Sequence, residues 1–240
     1  MSASPDLFRI SAKHLGELAR PGFCPRCFWL QMKARHKLPF QIFPGVFSSI
    51  DGYTKRVVHA WMDQNGGAPF GLESLGEVTG YIDPPHHSRF TMEVPEHNIL
   101  LTGAPDGILT FRDGSIAIID YKTAKFTPAQ DELLPMYIVQ LNSYAAIAEN
   151  QGLGRVSKLA LVYAEPVTRE DTTAQPQIHD DGFNMPFSVS VHPVELDPEM
   201  LAPLLREASE IYRRPLAPQG REGCENCRRL DNLMLLARKL

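Results

Sequence analysis

The sequence contains no run of about 18 consecutive apolar residues, so no segment is expected to span a membrane as a helix. It lacks the charged-then-apolar layout of a secretion signal after Met1, and the protein is expected to be cytoplasmic. Internal repeats and low-complexity tracts are missing, which excludes collagen-like, low-complexity and disordered classes. An overall basic charge is missing too. The 24 Lys and Arg against 28 Asp and Glu leave −4, which gives no global field for holding a polyanion. Cysteine is scarce, with four residues in all.

What is present is an ordinary globular composition, 43% hydrophobic and 22% charged over 240 residues, enough to bury a core in one large domain or two small ones. The charge is unevenly spread. Residues 1–40 carry seven Lys and Arg against two acids, residues 201–240 carry eight against five, and residues 41–200 carry nine against twenty-one. Basic ends around an acidic middle suit a divalent-metal site beside a phosphate-holding surface, although solvated surface charge produces the same pattern.

The four cysteines form two pairs, Cys24-Pro-Arg-Cys27 and Cys224-Glu-Asn-Cys227. A two-residue gap lets both sulfurs of a knuckle reach one metal, so the pattern points to a single four-thiolate site for zinc or an iron–sulfur cluster. Disulfides are disfavoured in a cytosolic chain. A thioredoxin-type redox motif would open a helix after a strand in a βαβ unit, and no such unit precedes either pair. The metal would staple the two ends of the chain together across a very large loop.

Sequence periodicity predicts helix over 11–35, capped by Ser11 and interrupted at Pro21-Gly22, and again from Ser48 or Ser49 to Gln64 with Ile50, Tyr53, Val57 and Trp61 on one face. Residues 66–98, rich in Gly, Pro and His, hold at most a short strand near Phe90–Val94. From Ile99 to Tyr121 the signal is β, two apolar runs separated by Arg112-Asp113-Gly114-Ser115. A helix follows over Pro135–Asn150, then strand over Lys158–Ala164, a polar loop over Thr168–Asn184, strand over Phe187–Val194, helix over Pro198–Arg214 and a final Leu-rich helix. This order predicts one α/β domain with a mixed sheet over 1–240, with a core of about 45–200. The cysteine module comprises 20–40 and 215–240.

Asp106, Asp120 and Lys122 stand out at the ends of the apolar hairpin, because buried charge is expensive unless paired or bound to metal. A two-residue loop would turn Asp106 and Asp120 to opposite faces. A three-residue loop, Asp113–Ser115, pairs positions summing to 228, sets Asp106 opposite Lys122 and keeps Asp120 on the same face. That register is expected here. Two carboxylates with one ammonium would hold Mg²⁺ or Mn²⁺ and carry out phosphodiester hydrolysis. Gln140 and Tyr144 lie four apart on one helix face, where a polar amide beside an apolar stripe could meet a DNA phosphate or base edge.

At these residues the chain resembles a known group. Pro105-Asp106 with Asp120-Tyr121-Lys122 resembles the PD-(D/E)xK nuclease signature, and Gly103-x-x-Asp106 with Gln140-x-x-x-Tyr144 resembles its RecB-type branch. Cys24-Pro25-Arg26 and the late Cys pair make the chain similar to the CRISPR-associated Cas-four exonucleases. The resemblance implies a restriction-endonuclease-like core, Asp106, Asp120, the Tyr121 carbonyl and the helical His59 as metal ligands, and Lys122 as catalytic lysine with Gln140 and Tyr144. It also implies a four-iron cluster on Cys24, Cys27, Cys224 and Cys227. The relatives usually have one early and three late cysteines, whereas here Cys27 is an extra early one, a two-plus-two spacing equally normal for structural zinc.

Arg26, Lys33, Arg35 and Lys37 beside one knuckle, and Arg221, Arg228 and Arg229 beside the other, would form a basic rim for single-stranded DNA or duplex ends. CRISPR adaptation or recombination proteins are the partners the resemblance implies. No GxxxxGK[ST] pattern occurs, so any unwinding motor is expected on a separate chain. A catalytically silent DNA-binding or adaptor module, with the same fold and a structural metal, is the alternative.

Overall fold

In the computed structural model the described residues are 7–34, 45–69, 71–127, 132–168 and 178–238. The hairpin organises the rest. Gly107–Phe111 (β5) and Ile116–Lys122 (β6) are joined by a turn in which Gly114 takes φ +80°, a left-handed conformation that glycine adopts without a Cβ penalty. The Asp113 carboxylate accepts from the Ser115 backbone N–H at 2.9 Å and from its hydroxyl at 2.6 Å. Phe111 N–H donates to the Ser115 carbonyl at 2.9 Å, so the loop is Arg112–Gly114, one residue earlier than expected. The register pairs Gly107 with Ile119 and Thr110 with Ile116. Extended by one step, it sets Asp106 opposite Asp120 instead of Lys122. The expected pairing is thus offset by two, a slip that preserves side-chain parity.

Around the hairpin lies a five-stranded mixed sheet in the order β10-β7-β6-β5-β2. β7 (Val156–Pro166) runs parallel to β6, while β10 (Phe187–Val194) pairs antiparallel with β7, and β2 (Val78–Ile82) antiparallel with β5. A second sheet of three strands joins β1 (Phe8–Ser11), β4 (Ile99–Thr102) and β3 (Thr91–Val94), with β1 parallel to β4. The apolar run expected to be continuous from Ile99 therefore divides between two sheets. It breaks at Gly103–Asp106, where Pro105 has no N–H to give a ladder. Gly103 is pinned there: a Cβ would fall 2.7 Å from the Tyr144 ring and 2.9 Å from Phe90.

Alternate strand residues feed two cores, as expected of a sheet covered on both faces. Ile108, Ile118, Leu159 and Leu161 pack against α4 (Leu134–Asn150), α1 (Ala12–Gly16) and α5 (Leu201–Arg213). Leu109, Ala117, Ile119 and Val162 are covered by α3 (Gly45–Asn65) through Val58 and Met62. The apolar stripe expected on α3 is not its packing face, since Tyr53 and Trp61 are 62% and 49% exposed.

The N-terminal helix is shorter than expected. Ser11 caps α1, accepting from the His14 N–H at 3.2 Å, but a 3₁₀ turn over Glu17–Ala19 ends it, and α2 (Pro25–Lys33) follows. Each cysteine knuckle opens a helix, Cys24 before α2 and Cys224 before α6 (Glu225–Ala237). Of the expected polar loop, residues 169–177 lie outside the described residues. Ile178–His179 (β8) and Gly182–Phe183 (β9) form a two-stranded ribbon.

Gly103→Ala is expected to lower stability by about 1–3 kcal/mol, the usual range for overpacking a closed site. A lower urea midpoint at unchanged slope is the expected readout; an unchanged midpoint would contradict the close approach to Tyr144.

Candidate active site

The site stands at the end of β6 where the hairpin opens. Asp120, on the α4 face of β6, is 3% exposed. Its Oδ1 accepts from Gln140 Nε2 at 3.1 Å, and its Oδ2 contacts the Lys122 ammonium two residues along the same face. Lys122 Nζ also lies over the Tyr137 ring, 4.0 Å from its centroid. Asp106 comes from the strand break. Its Oδ2 accepts from the Tyr121 backbone N–H at 2.9 Å. Burial, then the neighbouring Asp106 carboxylate, push the Asp120 carboxyl up to about 6, against the opposing pull of Lys122. The hairpin thus forces two acids together, and only part of their repulsion is relieved.

Gln140 binds on both sides, since its Nε2 also donates to the Tyr144 hydroxyl at 2.7 Å. Among the described residues its Oε1 is buried without a hydrogen-bond partner, while the buried Asp120 Oδ2 has the Lys122 ammonium beside it and no other polar partner. Asp106, Tyr121 and Lys122 open onto a cavity of about 720 Å³. Burial raises the Tyr144 phenol well above its ordinary value, so it stays protonated.

The structure does not bring His59 to the acids. Its ring lies flat on Tyr81, with centroids 3.8 Å apart. Among the described residues the one set of three or more His, Cys, Asp or Glu ligand atoms within 4.8 Å of one another is the four cysteines. The α3 residue that pairs with Asp106 is Lys55, one turn before His59. Its Nζ lies 2.7 Å from Asp106 Oδ1 and 2.9 Å from Asp51 Oδ2. Sequence reasoning missed Asp51 and Lys55, although their i,i+4 spacing on the polar face of the helix was a signal.

The cysteines meet as expected from their spacing, and all four are free thiols. Sulfur–sulfur distances are 3.6 Å for Cys24–Cys227 and Cys27–Cys224, and 3.5 Å for Cys27–Cys227. Burial alone would raise the Cys24 thiol. Backbone N–H groups of Cys27 and Arg221 and neighbouring thiols more than offset it, bringing Cys24 down to about 6. Thiolate-stabilising amides from both chain ends, in a closed four-sulfur cage at two helix N-termini, fit a bound metal. The four cysteines could hold one.

The expected basic rim is largely engaged in internal pairs. Arg26 forms a two-pronged pair with Asp231 at 2.6 and 3.0 Å, tying α2 to α6. Arg228 and Arg229 both face Glu225, and Lys33 sits over the Tyr212 ring. Arg35 and Lys37 lie outside the described residues.

Fold and site together define a mixed α/β protein with an acid–acid–lysine centre at the open end of its hairpin and a cysteine quartet joining its ends. The chain matches the sequence profile of the PD-(D/E)XK nuclease superfamily over residues 48–230 and belongs to that superfamily, whose members are generally nucleases that use divalent metals. No curated protein matches it. Among solved structures it is similar to the crystal structure of SSO0001, at a TM-score of 0.41 and 15% identity over 90% of this chain and 82% of that one. A likeness that loose carries no argument.

Because folded Asp120 holds its proton to about pH 6 and the unfolded carboxyl to about 4, the folded state binds more protons between those values. Its contribution to stability therefore falls as pH rises through that window and is level above it. In metal-free protein, Asp120→Asn should gain stability relative to wild type from pH 4 to 6 and then hold a constant difference. Parallel stability curves across that window would show that Asp120 ionises as it does in the unfolded chain.

Proposed function

We propose that this chain is a metal-dependent DNA nuclease that processes single strands or duplex ends, as an exonuclease, by phosphodiester hydrolysis. The observation that carries this reading is the meeting of Asp106 and Asp120 at one strand end, with the buried Asp120 Oδ2 held there by the Lys122 ammonium alone. A carboxylate pair beside a backbone carbonyl is the donor set that Mg²⁺ or Mn²⁺ prefers, and Asp106, Asp120 and the Tyr121 carbonyl would hold the ion. When bound, such an ion polarises the scissile phosphoryl group and makes a water acidic enough to attack.

The remaining chemistry belongs to the side chains. Lys122, held between Asp120 and the Tyr137 ring, faces the cavity and offsets charge developing on the phosphoryl oxygens. Gln140 fixes the Asp120 carboxylate, and its own Oε1 is left for a substrate donor such as a base edge. Tyr144 holds the other side of the Gln140 amide. Lys55 balances Asp106 from α3.

The resemblance to the RecB-type branch and to Cas-four exonucleases supports an iron–sulfur cluster of the four-iron type on Cys24, Cys27, Cys224 and Cys227. It also supports partners in CRISPR adaptation or recombination. The cluster would hold the fold together rather than take part in hydrolysis, since the cysteines lie outside the cavity that Asp106 lines.

End-labelled single-stranded DNA with Mn²⁺ tests the activity. Wild type is expected to degrade it, EDTA to stop it, and Lys122→Ala to slow it by roughly a hundredfold or more, the usual scale for removing a transition-state charge partner. Equal inertness of wild type and variant would overturn the nuclease reading in favour of a silent adaptor. Protein purified without oxygen is expected to be brown with broad visible absorbance. A colourless preparation containing zinc would overturn the cluster assignment alone.

A further inference from the structure

Among the described residues three buried side-chain polar atoms have no hydrogen bond: Asp120 Oδ2, which pairs instead with the Lys122 ammonium, and Gln140 Oε1 and Arg20 Nε, which have no such ion pair. Leaving such an atom unpaired costs about 1–3 kcal/mol, and folded proteins keep few of them. Two of the three belong to the centre described above. The third comes from near the other end of the chain, on the turn between α1 and Cys24, yet it reaches the same place. Arg20 lines the cavity of about 720 Å³ with Asp106, Lys122 and Lys125. It also lines an adjoining cavity of about 320 Å³ with Lys13, Glu17, Lys122 and Gln140.

No carboxylate among the described residues lies within ion-pair distance of Arg20. Glu17, three residues earlier, is close enough to feel its charge, but burial pushes that carboxyl toward the neutral form. Arg26, Arg228 and Arg229, by contrast, are all taken up by acids. Arg20 is therefore a half-buried cation that lines an open cavity and carries one buried, unmet donor, Nε. A guanidinium presents parallel N–H donors that match the oxygens of a phosphate.

We propose that Arg20 binds a backbone phosphate of the nucleic-acid strand in this cavity, next to the phosphate that Asp106, Asp120 and Lys122 address. The inference rests on the nuclease reading for its ligand, but binding can be measured without turnover. Its placement four residues before Cys24 also ties the strand grip to the cysteine staple.

The test is fluorescence anisotropy of a labelled single-stranded oligonucleotide in EDTA, across a salt series, with wild type, Arg20→Ala, Arg20→Gln and Arg20→Lys. Arg112→Ala, at the opposite end of the sheet and paired with Glu77, is the control for loss of one positive charge. Arg20→Ala and Arg20→Gln should each weaken binding about tenfold and make the salt dependence shallower by about 0.7, the single-strand value for one lost phosphate contact. Arg20→Lys should fall between them and wild type, and Arg112→Ala should match wild type. In Mn²⁺ turnover, Arg20→Gln should raise KM far more than it lowers kcat. Inorganic phosphate should weaken oligonucleotide binding by wild type more than by Arg20→Gln.

Unchanged affinity and salt slope in both truncations, or an equal loss in Arg112→Ala, would overturn the proposal. If DNA is hydrolysed but Arg20 variants bind normally, the nuclease reading stands and the Arg20 site falls. If binding drops as described but no DNA is cut, the converse holds.

Discussion

Two carboxylates brought together at the end of a β-hairpin repel each other, and in a half-buried setting that repulsion is weakly screened. The surroundings of Asp106 and Asp120 are arranged around this one conflict. Lys122 answers it from the same strand, Lys55 from α3, Gln140 from α4, and the Tyr121 N–H from the backbone between them. Four groups from three elements, β6, α3 and α4, thus converge because one hairpin register puts two like charges side by side. A divalent cation would relieve the remaining repulsion more completely than any of these groups, which is the physical ground for the metal site proposed at this centre.

The second constraint is long-range. Cysteines some 200 positions apart, 203 for Cys24 and Cys227 and 197 for Cys27 and Cys224, share one cage. Arg26 and Asp231 reinforce the same junction. Closing so large a loop carries a substantial entropic cost without a strong local bond, and a metal would supply one. The N-terminal strand β1 adds a third connection by pairing with β4, directly before the segment that carries Asp106. The ends of the chain are therefore part of the frame around the site, and Arg20 is delivered to it from there.

Much of this was legible in local sequence. The apolar runs on either side of Asp113-Gly114 fixed the hairpin's location, and the exposed-end placement of Asp106, Asp120 and Lys122 marked the chemistry. The paired CxxC motifs marked the staple. The register slipped by two because Ser115 serves as a strand residue and not a loop residue, which composition alone does not distinguish. The division of 99–111 between two sheets was hidden because Gly103 and Pro105 act through contacts with α4 and Phe90. On α3 the larger aromatics, Tyr53 and Trp61, outweighed Val58 and Met62 in the periodicity, yet the smaller residues face the sheet. His59 drew the eye as a ligand type, whereas the partner of Asp106 is a lysine one turn away. The pairing of Arg26 with Asp231 and the reach of Arg20 depend on tertiary packing and left no periodic trace.

The proposed chemistry requires a hard cation to seat between Asp106 and Asp120. Electron paramagnetic resonance of Mn²⁺ titrated into metal-free protein measures this without requiring substrate. It should show a saturable site in wild type that is lost in both Asp106→Asn and Asp120→Asn while the fold is retained. Mn²⁺ binding that survives both substitutions, or none in the wild-type protein, would contradict it.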